Sequence, residues 1–273
     1  MGLYVILKVK KSTTFIAPGF MNKKTILFIT SSPSWPLTDG KRQRTAFLIE
    51  GLSVYYNIDV LFLGNEAESN QMRMNDKYIQ NLFFIPVSDF KISLPGLPGY
   101  FYGLKNRKFK KEVFDSISNF FSSRDLSNYS FIFSRYITPL LIIKPQKGIK
   151  TVCDVDDVYE EAQKTKIGNE KKLSVKIKKW VLFQLGKLAV RKLYKKIETL
   201  IIVKESDKKF RGLSRAMVVP NLPFGYFIND DAPVVEKRLI NQIPHYGFIG
   251  KLSYKPNYSG LQEFIETVWA PLQ

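Results

Sequence analysis

Apolar residues run along this chain in two alternating patterns. Short continuous runs, rich in β-branched and aromatic residues, occur at 25–31 (TILFITS), 58–64 (IDVLFLG) and 81–87 (NLFFIPV). They recur at 130–135 (SFIFSR), 150–155 (KTVCDV), 199–203 (TLIIV) and 216–220 (AMVVP). Continuous runs of this kind suit strands buried on both faces. Between them lie segments with three- and four-residue spacing. In 41–56 (KRQRTAFLIEGLSVYY), Ala46, Phe47, Ile49 and Leu52 share one helical face, and 104–122 also reads as a helix. Strands alternating with helices predict an α/β fold, a Rossmann-like parallel sheet with helices on both faces. Ligands of such sheets bind outside the carboxyl ends of the strands. The loops to inspect are therefore 31–40, Gly64, 134–135, 154–157, 204–206 and 220–221.

The same pattern divides the chain. Residues 1–20 read as an N-terminal extension, expected to be disordered, because a second plausible start, MNKKTILFIT, opens at Met21. Residues 21–222 hold the alternating strands and helices. Residues 223–245 lack a clear period and carry Pro, Asn and Asp, which reads as a linker. Residues 246–273 (YGFIGKL, then an amphipathic stretch) read as the first βα unit of a second Rossmann-like domain, begun and left incomplete.

Composition adds three constraints. Of 273 residues, 45% are hydrophobic and 14% aromatic, enough for a sizeable core. The formal net charge of +18 favours anionic partners. Cys153 is the sole cysteine, so no intrachain disulfide forms, which fits a reducing compartment. No segment approaches the roughly 20 apolar residues of a membrane span.

Four stretches carry candidate chemistry. PSWPLTDGKRQR joins the first strand to a helix. Gly40 allows close backbone approach, the helix N-terminus offers free N–H groups, and Lys41, Arg42 and Arg44 add charge for a phosphate. The alternative is an ordinary loop with Asp39 near the N-cap. CDVDDV sets Asp154, Asp156 and Asp157 after a strand, either as oxygen ligands for a divalent metal or as cap and first-turn acids of the next helix. Residues 164–196 hold twelve Lys or Arg against one Glu. Leu173, Ile177, Trp180, Val181 and Leu188 share one face there, and Lys176, Lys178, Lys179 and Trp180 are candidate contacts to an anionic membrane surface. A solvated face is the other reading, and the apolar centre, WVLFQL, predicts that part of this helix is buried. KNRKFKK at 105–111 is a second basic cluster. His245, the lone histidine, has no catalytic partner in view, and no nucleic-acid recognition motif is present.

Three stretches taken in order, ILFITSSPSWPLTDGKRQR, IIVKESD…AMVVPNLP and GFIGKLSYKPNYSGLQEFIETVWAPL, resemble glycosyltransferases of the GT-B fold. The similarity is greatest to family 4 bacterial enzymes that build surface polysaccharides, and it runs from about Lys23 onward. It implies an acceptor-side N-terminal domain and a donor-side C-terminal domain. It also implies retaining transfer from a nucleotide sugar to a polysaccharide or lipid-linked acceptor, with no metal or other cofactor, in the cytoplasm at the inner face of the membrane. The residues it singles out for donor or acceptor binding are Gly40 and Lys251, with Asn221 structural at the hinge; Lys41 and Arg135, which lie in loops after strands, complete the candidate donor- or acceptor-binding set. A second family lysine is replaced by Pro256, and the E-x7-E element is not found. On this reading the chain is a truncated enzyme, expected to be inactive by itself, whose catalytic residues lie elsewhere.

Other readings stay open. One is a non-catalytic, membrane-associated subunit that pairs with a separate donor-domain chain. Another is a metal-dependent transferase using Asp154 and Asp156. A third is an epimerase acting on nucleotide sugars, which shares the GT-B fold.

Overall fold

The computed structural model describes residues 23–75, 77–87, 107–143, 145–156, 158–221 and 255–270. The chain forms two compact units, Met1–Ile228 and Asn229–Gln273. The first is built on a seven-stranded, wholly parallel sheet: β1 (Lys24–Thr30), β2 (Tyr56–Gly64), β3 (Asn81–Pro86), β4 (Tyr129–Arg135), β5 (Thr151–Asp154), β6 (Thr199–Ile202) and β7 (Met217–Val218). Its helices are α1 (Gly40–Ser53), α2 (Glu66–Asn75), α3 (Arg107–Ser122), α4 (Ile137–Ile143), α5 (Tyr159–Gly168) and α6 (Leu173–Tyr194).

The strand order is β3-β2-β1-β4-β5-β6-β7. The chain thus builds outward from β1 in one direction, returns, and builds outward from β4 in the other. The boundary between β1 and β4 is the topological switch point, where adjoining loops diverge and leave a crevice.

The continuous apolar runs are explained by burial on both faces. Along β1, Ile26 and Phe28 pack with Phe47, Leu48 and Ile49 of α1 and Met72 of α2. The alternate residues Leu27 and Ile29 pack with Val113, Ile117 and Phe120 of α3 on the other face. Successive strand side chains point to opposite faces, so only a run apolar at every position fills both cores. Phe28 is wholly buried and stacks on Phe133 of β4, with ring centroids 5.0 Å apart and planes 7° from parallel. A further core joins β5 and β6 to α4 and α6 through Cys153, Leu140, Phe183, Val190 and Leu193. Burial pushes the Cys153 thiol well above its ordinary pKa, and the neighbouring Asp154 charge adds to this. Cys153 is therefore a packing residue rather than a nucleophile.

At the amino ends of the strands lies an open polar cavity of about 440 Å³, lined by Thr25, Asp59, Asn81, Arg124 and Tyr129 among others. Asp59 accepts hydrogen bonds from Asn81 Nδ2 at 2.7 Å and from the Tyr129 hydroxyl at 3.0 Å. Burial, then the hydrogen bond to Asp59, push the Tyr129 phenol up to about 12. Unfolded tyrosine loses its proton near pH 10. Between pH 10 and about 12 the unfolded chain has lost that proton and the folded one keeps it, so stability falls as pH rises through this window. Urea midpoints of wild type and Tyr129→Phe should therefore converge as pH climbs from about 10. A separation that stays constant with pH would show that the phenol is not held protonated by the fold.

In the second unit, α7 (Lys255–Phe264) continues into a π-helical turn, Ile265–Trp269. Phe264 and Val268 are exposed on it and Leu261 is half-buried. The strand expected at 246–250, the linker at 223–245, the N-terminal extension, Lys251 and His245 lie outside the described residues. So do the side chains of residues 107–111 in the KNRKFKK cluster.

Candidate functional site

The crevice at the switch point is framed by the loop after β1, the first turn of α1, and the carboxyl ends of β4 and β5. Asp39 caps α1. One of its carboxylate oxygens accepts hydrogen bonds from the backbone N–H groups of Lys41 at 3.0 Å and Arg42 at 3.1 Å. The helix N-terminus is therefore already served by a carboxylate of the chain's own, and an incoming anion would compete with Asp39 for those two donors. In front of this turn the space is open, since a Cβ added at Gly40 would meet nothing within 4 Å.

The three basic residues that follow have different fates. Arg42 is partly buried, donates to the Trp35 carbonyl at 2.9 Å, and pairs with Glu68 at 2.8 Å. Arg44 turns inward and is 3% exposed. Lys41 is exposed in the first turn of α1.

Arg44 enters a buried ionic lattice. Its Nε donates to Asp154 Oδ2 at 3.0 Å and its Nη2 to Asp154 Oδ1 at 2.6 Å, a two-point grip. Its Nη1 reaches the Pro220 carbonyl at 3.2 Å and Asn221 Oδ1 at 3.0 Å. Asn221 thus ties the segment leaving β7 to α1. From the other side, Arg135 Nη1 donates to Asp154 Oδ2 at 2.7 Å, and its Nη2 to Asp156 Oδ2 at 2.8 Å and to the Tyr136 hydroxyl at 2.9 Å. Asp154 and Arg135 are both fully buried. Burial alone would weaken the guanidinium's hold on its proton, but Asp154, Tyr136 and Asp156 outweigh it, and the Arg135 pKa shifts upward.

This arrangement differs from two sequence expectations. Arg135 does not face open space: both its terminal nitrogens are committed, and only its buried Nε lacks a partner among protein atoms. Through these bonds it holds the ends of β4 and β5 together. Both Asp154 oxygens are taken by Arg44 and Arg135, and Asp156 Oδ2 by Arg135, so these carboxylates serve arginines. Among the described residues no cluster of three or more His, Cys, Asp or Glu could hold a metal ion, and Asp157 lies outside them. Gly40 and Lys41 form the exposed first turn of α1.

The residues just past β4 and β5 share a strained feature. Tyr136 has φ of 73° and Asp156 φ of 52°, the two non-glycine residues of the described chain in the left-handed region. Such conformations cost free energy and persist where surrounding contacts over-determine them, often at ligand sites. Here those contacts are visible. The Tyr136 N–H donates to the Asp154 carbonyl at 2.8 Å, Ser134 Oγ donates to the Tyr136 carbonyl at 2.9 Å, and the Tyr136 ring lies under the Arg135 guanidinium at 3.8 Å. Further along the same edge, Lys204 after β6 bridges Glu161 and Asp207.

Sequence reasoning missed the pairing of Arg44 with Asp154 because 110 residues separate them. Its one local signal is that Arg44 stands a helical turn before the buried Leu48, on the packed side of α1.

No protein-family model and no curated protein matches this chain. Among solved structures, a likeness exists to UGT2 of Phytolacca americana, a structure complexed with UDP-2fluoro-glucose and pterostilbene. It has 12% identity and a TM-score of 0.43, and covers 75% of this chain and 55% of that one. Another is to a short-chain dehydrogenase/reductase (wide type) from Veillonella parvula DSM 2008 in complex with NADP. It has 11% identity and a TM-score of 0.31, and covers 66% and 69%. The chain thus spans little more than half the length of the first. At such identities and TM-scores neither likeness carries functional information.

Proposed function

We propose that the protein is a glycosyltransferase that passes a sugar from a nucleotide-sugar donor to a polysaccharide or lipid-linked acceptor. The observation that carries this reading is the cluster of side chains at the carboxyl ends of β1, β4 and β5, the switch point outside which ligands of such sheets bind. A buried Arg44–Asp154–Arg135–Asp156 lattice, two residues in left-handed backbone and exposed Lys41 lie there together. The lattice is balanced in charge and fixes the loops, and Lys41 supplies a positive charge for a phosphorylated ligand. The ordered motifs DGKR, VVPN and GKLSYKPN, which resemble family 4 enzymes, support the choice of sugar transfer over other phosphate chemistry.

On this reading the acceptor meets the loop after β1 and the first turn of α1. Arg135 and Asp154 hold the β4 and β5 ends in register, and Lys41 stabilises negative charge on a phosphate group. The donor's diphosphate departs as the sugar acquires oxocarbenium character, with retention at the anomeric carbon, and basic groups lower that barrier. Lys251 belongs to the same proposal as a diphosphate contact.

The test is to incubate the purified chain with UDP-, GDP- and dTDP-sugars and a short-chain prenyl-diphosphate-linked sugar, following transfer and binding by mass spectrometry and calorimetry. Saturable binding that Lys41→Ala weakens by about tenfold or more would support the reading, as would any sugar transfer. Absence of both transfer and millimolar binding would overturn it.

A further inference from the structure

The basic helix α6 buries one side only. Phe183, Gly186, Val190, Leu193 and Tyr194 face the protein. Leu173, Ile177, Trp180, Val181 and Leu188 face away, with exposures of 72%, 56%, 54%, 46% and 57%. At 3.6 residues per turn these five fall within an arc of roughly 100°, on the side opposite the buried set. Apolar residues normally mark a helix's packed face. Here the packed face is filled by other residues, and a second apolar stripe is left in solvent.

Charge frames that stripe. Lys176 and Lys187 lie along one border, Lys178 and Lys192 along the other. From Lys171 to Ile197 there is no Asp or Glu. Lys179 lies outside this frame, since it projects toward the protein side and pairs with Glu170 at 2.5 Å. No helix among the described residues is long and apolar enough to cross a membrane.

We infer that α6 docks the protein onto an anionic lipid bilayer. The helix lies in the interface plane, with Trp180, Ile177 and Leu188 inserted below the headgroups and the bordering lysines on lipid phosphates. Apolar centre and cationic borders match the layering of an anionic membrane surface. A second copy of the chain fits less well, because pairing two acid-free helices sets lysine against lysine. An acidic nucleic acid would meet the lysines and leave the stripe uncovered. Docking needs no sugar chemistry, so it stands or falls separately from the transferase reading.

The test is co-sedimentation of the purified chain with vesicles of phosphatidylcholine, with and without about 30% phosphatidylglycerol, across a salt series. Binding should need the anionic lipid, weaken with salt, and shift Trp180 fluorescence to the blue. Ile177→Glu/Trp180→Glu should lower the partition coefficient by about tenfold or more, and so should Lys176→Gln/Lys178→Gln/Lys192→Gln. Lys179→Gln should change it far less. These positions are solvent-facing, so circular dichroism should remain that of wild type. Failure of wild type to bind anionic vesicles would overturn docking, and so would wild-type binding by both multiple variants. A wild-type dimer in light scattering that Ile177→Glu/Trp180→Glu dissociates, without vesicle binding, would assign the stripe to a second copy and overturn it equally.

Discussion

Replacing Asp154 with alanine is expected to remove about 3–5 kcal/mol of stability, a large share of what holds a domain of this size folded. The reason is asymmetry rather than the strength of any one pair. Asp154 is the shared carboxylate of two buried guanidiniums, gripping Arg44 with both oxygens and Arg135 with one. Without it, Arg44 keeps only the Pro220 carbonyl and Asn221, and Arg135 keeps Asp156 and Tyr136. Two cations then sit close together, desolvated and underpaired. Asp154→Asn keeps the shape but not the charge and should be nearly as costly. By contrast, replacing Arg44, Asp154 and Arg135 together with apolar residues of similar size should recover much of the loss, because the desolvation penalty disappears with the charges. Urea denaturation followed by circular dichroism reads all three. A loss below about 1 kcal/mol for Asp154→Ala would mean that water reaches the lattice as it reaches a surface pair.

Phe28→Ala is expected to cost a similar amount, about 3–5 kcal/mol, by a different mechanism. Phe28 lies mid-strand in β1, between β2 and β4, and is wholly buried. Truncation removes its transfer free energy, the stack on Phe133, and its contacts with α1, and opens a cavity that neighbours on both sides keep from collapsing. Phe28→Leu should cost much less, since it restores most of the volume. The consequence for the site is direct, because β1 delivers the loop that ends at Asp39 and Gly40. Denaturant midpoints would measure the effect, and a cost below about 1 kcal/mol would contradict the packing described.

Every strand of the sheet was legible in the sequence as an apolar run, and β1 shows why. A strand buried on both faces has to be apolar at each position, so a local pattern reports a global position. The site was legible only in part. Sequence pointed to the loops after the strands, because ligands of such sheets bind outside their carboxyl ends. It could not reveal that Arg44 and Arg135 converge on Asp154, because that geometry depends on strand order and not on any spacing along the chain. The basic stretch in α6 was recognised as amphipathic, yet both sides carry apolar residues. A helical period cannot tell which side the core takes; packing of Phe183, Val190 and Leu193 against β5 and α4 decides it.

The most direct test of ligand placement is amide chemical-shift mapping on the isotope-labelled chain. It would be titrated with a prenyl-diphosphate-linked sugar and, separately, with nucleotide sugars. Perturbations are expected at residues 31–41, Tyr136 and Asp156, around the crevice between β1 and β4. Perturbations confined to the cavity of Asp59, Asn81 and Tyr129 at the opposite ends of the strands, or none at millimolar ligand, would contradict it.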